Sequence, residues 1–136
     1  VVKGRKKQVF VLTAPNESGL LILGNDYLME YNQRNKLRKK HKIHNSILHF
    51  PTTSSEQDKV IQTTYNSHVV TDLISSTDIG TLLLYRDHVE WKQHIVVSEK
   101  EVSIFDLDTE KLTIIKNTLA KSSASSLSYM TKFLAR

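Results

Sequence analysis

Short apolar runs parted by turn-forming residues recur along this chain, a spacing that predicts strands more than helices. Val9 to Thr13 (VFVLT) is β-branched and aromatic, the composition of a buried strand. In the stretch 14–19 (APNESG), Pro15 fixes φ while Asn16 and Gly19 accept unusual backbone angles, so a turn is expected. Leu20 to Leu23 is a second apolar run. Gly24-Asn25-Asp26 is short enough for a tight hairpin into a third strand, Tyr27 to Tyr31, where Tyr27, Met29 and Tyr31 alternate with Leu28 and Glu30. Ile43 to Phe50 returns as a strand with Ile43, Ile47 and His49 on one face and Leu48 and Phe50 on the other.

Beyond a polar loop at 51–59, Ser54 and Gln57 have the spacing of a capping box that opens a short helix, although 60–65 (VIQTTY) is as strand-like as helical. His68 to Asp72 reads as a strand and Ser75 to Gly80 as a turn closed by Gly80. Thr81 to Tyr85 (TLLLY) is a buried run. Arg86-Asp87 connects it tightly to His88 to Lys92, and Ile95 to Ser98 pairs with Val102 to Phe105 across Glu99-Lys100-Glu101. The tail changes character. Asp106 or Asp108 can cap a helix with Glu110 in its first turn, and Leu112, Ile115 and Leu119 then share a face. A Ser-rich interruption at 122–128 precedes Leu127, Met130, Phe133 and Leu134, again at helical spacing. The expected fold is α+β: mainly antiparallel β, a barrel- or sandwich-like meander of seven or more strands, with a C-terminal helix or helix pair. A single domain is expected over 1–136, with 107–136 as a helical tail packed on the sheet or on a partner.

Composition changes this picture little. Hydrophobic residues make up 39% and charged residues 24%, within the globular range. There is no cysteine, which excludes disulfides and thiolate metal sites and leaves nothing to argue for an oxidising compartment. No apolar run approaches the roughly 18 residues of a membrane span, and VVKGRKKQ lacks the apolar core of a signal peptide. A start at Val1 rather than Met suits a piece of a longer chain.

Charge changes more. The formal net charge of +5 favours an acidic partner, and the positive residues are not evenly spread. Arg34, Lys36, Arg38, Lys39, Lys40 and Lys42 fall within nine residues, in the connector between two expected strands. A hairpin with a basic tip follows. Three readings fit it: contact with a polyanion or an acidic protein, a nuclear-import signal in KLRKKHK, or a solvated loop. Tyr31 at its base could stack on a base or ring. Trp91 shares a face with Val89 in HVEWK, where core packing is the default and an exposed aromatic contact the alternative.

Catalytic signals are sparse. Of the six histidines, none shows the helical pairing of a zinc protease, and His41 and His44 sit among cations that oppose a metal ion, so no metal and no cofactor are expected. Asp87 with Glu90, or Asp106 with Asp108 and Glu110, could form an acid–base pair only if they converged in a cleft, and helix capping or solvent exposure explains them more simply. No nucleophile elbow occurs, and the four glycines are isolated, so no phosphate-binding loop is expected.

Two resemblances are present. Ile95 to Glu110 (IVVSEKEVSIFDLDTE) resembles the closing strands of a WD-type propeller blade, with Phe105-Asp106 where that family places Trp-Asp; GLLILGNDYLMEY is similar. A closed propeller needs four or more blades of about 40 residues, so the resemblance implies a fragment of one. Many strands followed by a C-terminal helix is similar in layout to the pleckstrin-homology family. The expected function is a non-catalytic adaptor in a larger intracellular, nuclear and chromatin-associated assembly, with another protein as the leading partner. Direct nucleic-acid binding through 34–42 is the first alternative and an enzyme with an Asp/Glu site the second. An anionic membrane surface ranks below both partners, and no small-molecule substrate is implied.

Overall fold

The computed structural model describes residues 2–3, 6–55, 60–69 and 71–118. Its strands are β1 (Val2–Lys3), β2 (Lys6–Val11), β3 (Leu20–Gly24), β4 (Tyr27–Tyr31), β5 (Leu37–Lys42), β6 (Ile47–Pro51), β7 (Thr63–Ser67), β8 (Gln93–Val97), β9 (Glu101–Asp106) and β10 (Lys111–Lys116). One helix, α1 (Ser76–Tyr85), runs into a 3-10 turn at Arg86–His88. The fold is mostly antiparallel β with this short helix in mid-chain. Its strands form an outer sheet in the order β1-β2-β4-β5, a β3-β6 pair, and a second sheet in the order β10-β9-β8-β7. No barrel closes among the described residues.

A long two-stranded ribbon organises the first half. β3 and β4 follow one another along one side, β5 and β6 along the other, paired Tyr27↔Lys42 in the outer part and Gly24↔Ile47 in the inner part. The ribbon bends between these parts, where Asn25 N–H donates to Ser46 C=O at 3.0 Å and Ile43 N–H to Asp26 C=O at 2.9 Å. Gly24 is required there. Its φ is +94°, and an added Cβ would lie 2.2 Å from the Ser46 carbonyl oxygen. The far end closes at Asn32, whose Oδ1 accepts from the N–H groups of Arg34 and Lys36, each at 3.0 Å. Asn35 takes the left-handed conformation, φ 58°, that short hairpin loops need.

The second half contains the one parallel pair among the described strands, β7 with β8. Parallel neighbours need a crossover, and α1 lies in it. Ser75 caps the helix: its hydroxyl accepts from Asp78 N–H at 3.0 Å, and its own N–H donates to Asp78 Oδ2 at 3.2 Å. This reciprocal pair satisfies two donors that a helix start otherwise leaves open. The core joins the ribbon's inner part to this half: Leu21 and Leu23 pack with Ile74, Leu82, Trp91, Val96, Phe105 and Leu107. β2, β4 and β5 contribute no residue to that cluster.

Several expectations are corrected. β3 and β4 are not hairpin partners, because the bend at 24–26 turns the chain onto a new line within the ribbon. Thr81 to Tyr85, expected as a buried run, is the end of α1, where Thr81 and Leu82 are buried but Leu83 and Leu84 are exposed. The run 111–116 is strand β10, paired along its length with β9, so the expected helical tail does not begin at 107. Thr113, Ile114 and Ile115 are three β-branched residues in succession, which suit a strand. Asp106 caps a turn rather than a helix, its Oδ1 accepting from Thr109 N–H at 2.8 Å. The rest of the tail, 119–136, and the 54–57 capping box fall wholly or partly outside the described residues. β8, β9 and β10 form the meander that a propeller blade would have, but β7 joins it in parallel, unlike the antiparallel blade. Helix α1 precedes these last strands, and the C-terminal helix of a pleckstrin-homology layout would fall at 119–136, outside the described residues.

Candidate functional site

Two places in the molecule concentrate chemistry. The first is the outer part of the ribbon. β5 is the edge strand of its sheet, and all six of its residues are exposed. The expected basic tip is therefore larger than a loop. Only 32–36 turns, while Arg38, Lys39, Lys40 and Lys42 stand along a strand. Register places Lys40 and Lys42 opposite Met29 and Tyr27, and Lys7 opposite Tyr31, so these cations share one face with the two tyrosines. Lys40 Nζ lies 4.4 Å and Lys42 Nζ 5.9 Å from the Tyr27 ring centroid, within cation–π range. The other face carries Lys39 opposite Glu30, which also accepts from Gln8 Nε2 at 3.3 Å. A register shift between Glu30 and Tyr31 leaves Arg38 as the extra residue of a bulge. Arg38 and Arg34 line an open depression at the tip with Asn32 and Gln33.

Among the described residues, no carboxylate pairs with Arg34, Lys36, Arg38, Lys39, Lys40 or Lys42. Lys7 joins the patch by bonding Asn35 Oδ1 at the tip, 2.6 Å away. Its sequence distance from the basic run hid it, and only the β2–β4 register reveals it. Tyr31 is half-buried, its hydroxyl 3.4 Å from Met29 Sδ. Trp91 does not present a surface. It is 2% exposed, its indole N–H donates to Pro51 C=O at 3.1 Å, and its ring packs near Phe50 and His94. It packs in the core, the default reading of its place beside Val89, and not as the exposed aromatic contact that was the alternative.

The second place lies where the ribbon bends against α1. His41 stays on exposed β5, but His44, past the strand end, turns inward. Its Nδ1 lies 2.8 Å from Oδ1 of Asp26, a carboxylate only 2% exposed, which also accepts from His44 N–H at 3.1 Å. His68, just after β7, has Nδ1 at 2.9 Å from Thr71 Oγ1 and 3.1 Å from Leu73 C=O. Asp78 comes from the first turn of α1. His68 Nε2 is 3.3 Å and His44 Nε2 3.9 Å from Asp78 Oδ2. The hydrogen bond to Asp78 raises the His68 pKa above its ordinary value against the opposing effect of burial. Burial alone would raise the Asp78 carboxyl, but hydrogen bonds from His68 and Ser75 outweigh it and hold the carboxyl below the usual range. These three side chains line a cavity of about 30 Å³ with Leu23, Gly24, Ser46, Leu48, Asn66 and Ser67. They are the residues that could hold a cation.

Behind them, His94 is fully buried on β8. Its Nδ1 lies 2.8 Å from Thr64 Oγ1 and its Nε2 2.9 Å from Asn66 Oδ1. Burial pushes its pKa down to about 4, so the ring is neutral at pH 7. The acidic residues whose spacing would have allowed a pair do not gather in a cleft. Asp87 and Glu110 flank Arg86 on the surface, Glu90 accepts from Ser54 N–H at 3.2 Å, and Asp108 pairs with Lys92 at 3.1 Å. No helix among the described residues is long and apolar enough to cross a membrane. No protein-family model, curated protein or solved structure matches this chain.

Proposed function

We propose that this chain is a non-catalytic binding module that docks on a polyanion, with nucleic acid the favoured ligand, through the face and tip of the β2–β4–β5 sheet. One observation carries the reading: β5 is an exposed edge strand whose cations have no carboxylate partner among the described residues. Cations without carboxylate partners keep their charge available for phosphates, and each phosphate contact releases counterions. Arg34 and Arg38 beside the tip depression add two guanidinium forks suited to phosphate oxygens. Tyr27 and Tyr31 on the Lys40 face supply rings near those charges.

A second reading is favoured by the same edge. The backbone groups of β5 that point away from β4 can take an added strand from an acidic protein segment, and the chain then serves as an adaptor in a nuclear assembly. Salt separates the two. Phosphate contacts predict log affinity falling linearly with log salt, with a slope near 0.9 per contact on duplex DNA and about 0.7 on single strands. Strand addition depends on backbone hydrogen bonds and weakens less. Fluorescence anisotropy on labelled oligonucleotides at two or more salt concentrations tests this. The Arg38→Glu, Lys39→Glu, Lys40→Glu triple variant should bind at least about tenfold more weakly with its melting temperature nearly unchanged. Equal binding by the triple variant would remove the reading.

A further inference from the structure

We propose that His44, His68 and Asp78 form a binding site for one divalent transition-metal ion of the zinc class. The candidate ligand atoms, one from each residue, all lie within 4.8 Å of one another. Bonds of about 2.0–2.1 Å in a tetrahedral zinc site put neighbouring ligand atoms about 3.3 Å apart. His68 Nε2 and Asp78 Oδ2 already stand at 3.3 Å, and His44 Nε2 at 3.9 Å from the same oxygen. Shifts of under about 1 Å in side-chain position would complete the geometry for these two pairs.

Each ligand is oriented by a second residue, as metal ligands are. The Asp26 carboxylate takes His44 Nδ1–H, which leaves Nε2 to face the cavity with its lone pair. The Leu73 carbonyl does the same for His68. Ser75 N–H holds Asp78 Oδ2 at 3.2 Å.

An ion pair between His68 and Asp78 accounts for only part of this arrangement. It leaves His44 Nε2, which is buried and without a hydrogen-bond partner. A buried nitrogen without a partner costs free energy, and a cation between the three side chains removes that cost. The cavity of about 30 Å³ exceeds the roughly 10–15 Å³ that a single water molecule needs, so it has room for an ion with a solvent ligand. Two imidazoles with one carboxylate suit zinc, iron, nickel or copper better than magnesium or calcium, which prefer all-oxygen sites. The Asp26 and Asp78 carboxylates together offset the charge of a divalent ion.

The ligands come from three segments: the ribbon bend, the loop after β7, and the start of α1. A bound ion would tie the base of the basic ribbon to the second half of the molecule. This inference does not depend on what the ribbon binds.

The test uses the purified chain stripped with a chelator and titrated with zinc chloride by calorimetry. One equivalent should bind and raise the melting temperature. His44→Gln and His68→Gln should each weaken binding about a hundredfold or more, while replacement of the exposed His49 changes nothing; circular dichroism checks that each variant is folded. No binding to the native chain, or undiminished binding in both variants, would overturn the proposal. Should a variant unfold, NMR of the native chain decides. Zinc should move the His44 and His68 ring signals in step at one equivalent, and movement confined to other histidines would count against the site.

Discussion

The two ends of one ribbon make opposite use of the same backbone pairing. Near the bend, β3 and β6 send Leu21, Leu23, Leu48 and Phe50 into the core, and Leu21 and Leu23 are at most 2% exposed. A few residues further out, β4 and β5 continue the ladder, yet every residue of β5 faces water, and β2 on the other side of β4 leaves Val9, Phe10 and Val11 partly bare. Hydrogen bonding does not distinguish the halves. What differs is whether the side chains have another layer to pack against. The inner half has α1 and the second sheet, whereas β2, β4 and β5 send no residue into the core cluster. Stability therefore resides in one half and accessible charge in the other.

The largest expected effect lies in the packed half. Leu82→Ala, at a fully buried position of α1, should cost about 2–5 kcal/mol in urea unfolding through the lost burial and the cavity left behind. Val9→Ala on the outer sheet should stay within about 0.5 kcal/mol. Similar losses from the two would erase the contrast between the halves.

Acidity should sharpen the contrast next, because the buried histidine belongs to the packed half alone. The folded pKa of His94 is lowered to about 4, below the 6.5 expected when unfolded, so the unfolded chain binds the extra proton between those values. Its contribution is fully present above pH 6.5 and is lost as pH falls towards 4, amounting to roughly 3 kcal/mol at 1.36 kcal/mol per unit. His68 works the other way. Its folded pKa is raised, so its contribution is present below pH 6.5 and fades as pH rises through the folded value. NMR titration reads both rings separately. A His94 ring that charges near pH 6.5 would show that the core there admits water.

The smallest change in stability is expected on β5. Lys40→Thr with Lys42→Thr should move the unfolding free energy by less than about 0.5 kcal/mol. The same pair of changes strips charge from an open sheet edge and should promote association between copies, seen by sedimentation velocity. A large loss of stability instead would mean that the cation–π contacts with Tyr27 support the fold.

Much of the strand pattern was legible because period-two alternation marks it: β4 matches its expected bounds, and Leu48 and Phe50 face the core side of β6 as the alternation required. α1 was hidden. Its Leu-rich end resembles a buried strand, and the capping box in Ser75 and Asp78 uses Asp where Glu or Gln is usual. The tail misled through Asp106 and Asp108, since a carboxylate that can cap a helix can equally close a turn, and here Asp106 does so before Glu110 takes φ 54°. The exposed cations were visible in the sequence as a run, but their common face with Tyr27 and Lys7 depends on register. The His44, His68 and Asp78 cluster could not be found by spacing, because its members arrive from segments that meet only through the ribbon's bend and the β7–β8 crossover.

The bend also keeps time for the ribbon. Between the pairs Gly24↔Ile47 and Tyr27↔Lys42, one side spends two residues and the other four. The surplus is even, so the in–out parity of the side chains survives the corner. Removing a single residue from 43–46 should strain the pairing of Gly24 with Ile47, and a one-residue slip of β6 there would turn Ile47 and His49 inward and leave Leu48 and Phe50 in solvent. Length changes at the Asn32–Lys36 loop carry no such penalty, so natural insertions in this ribbon should gather there.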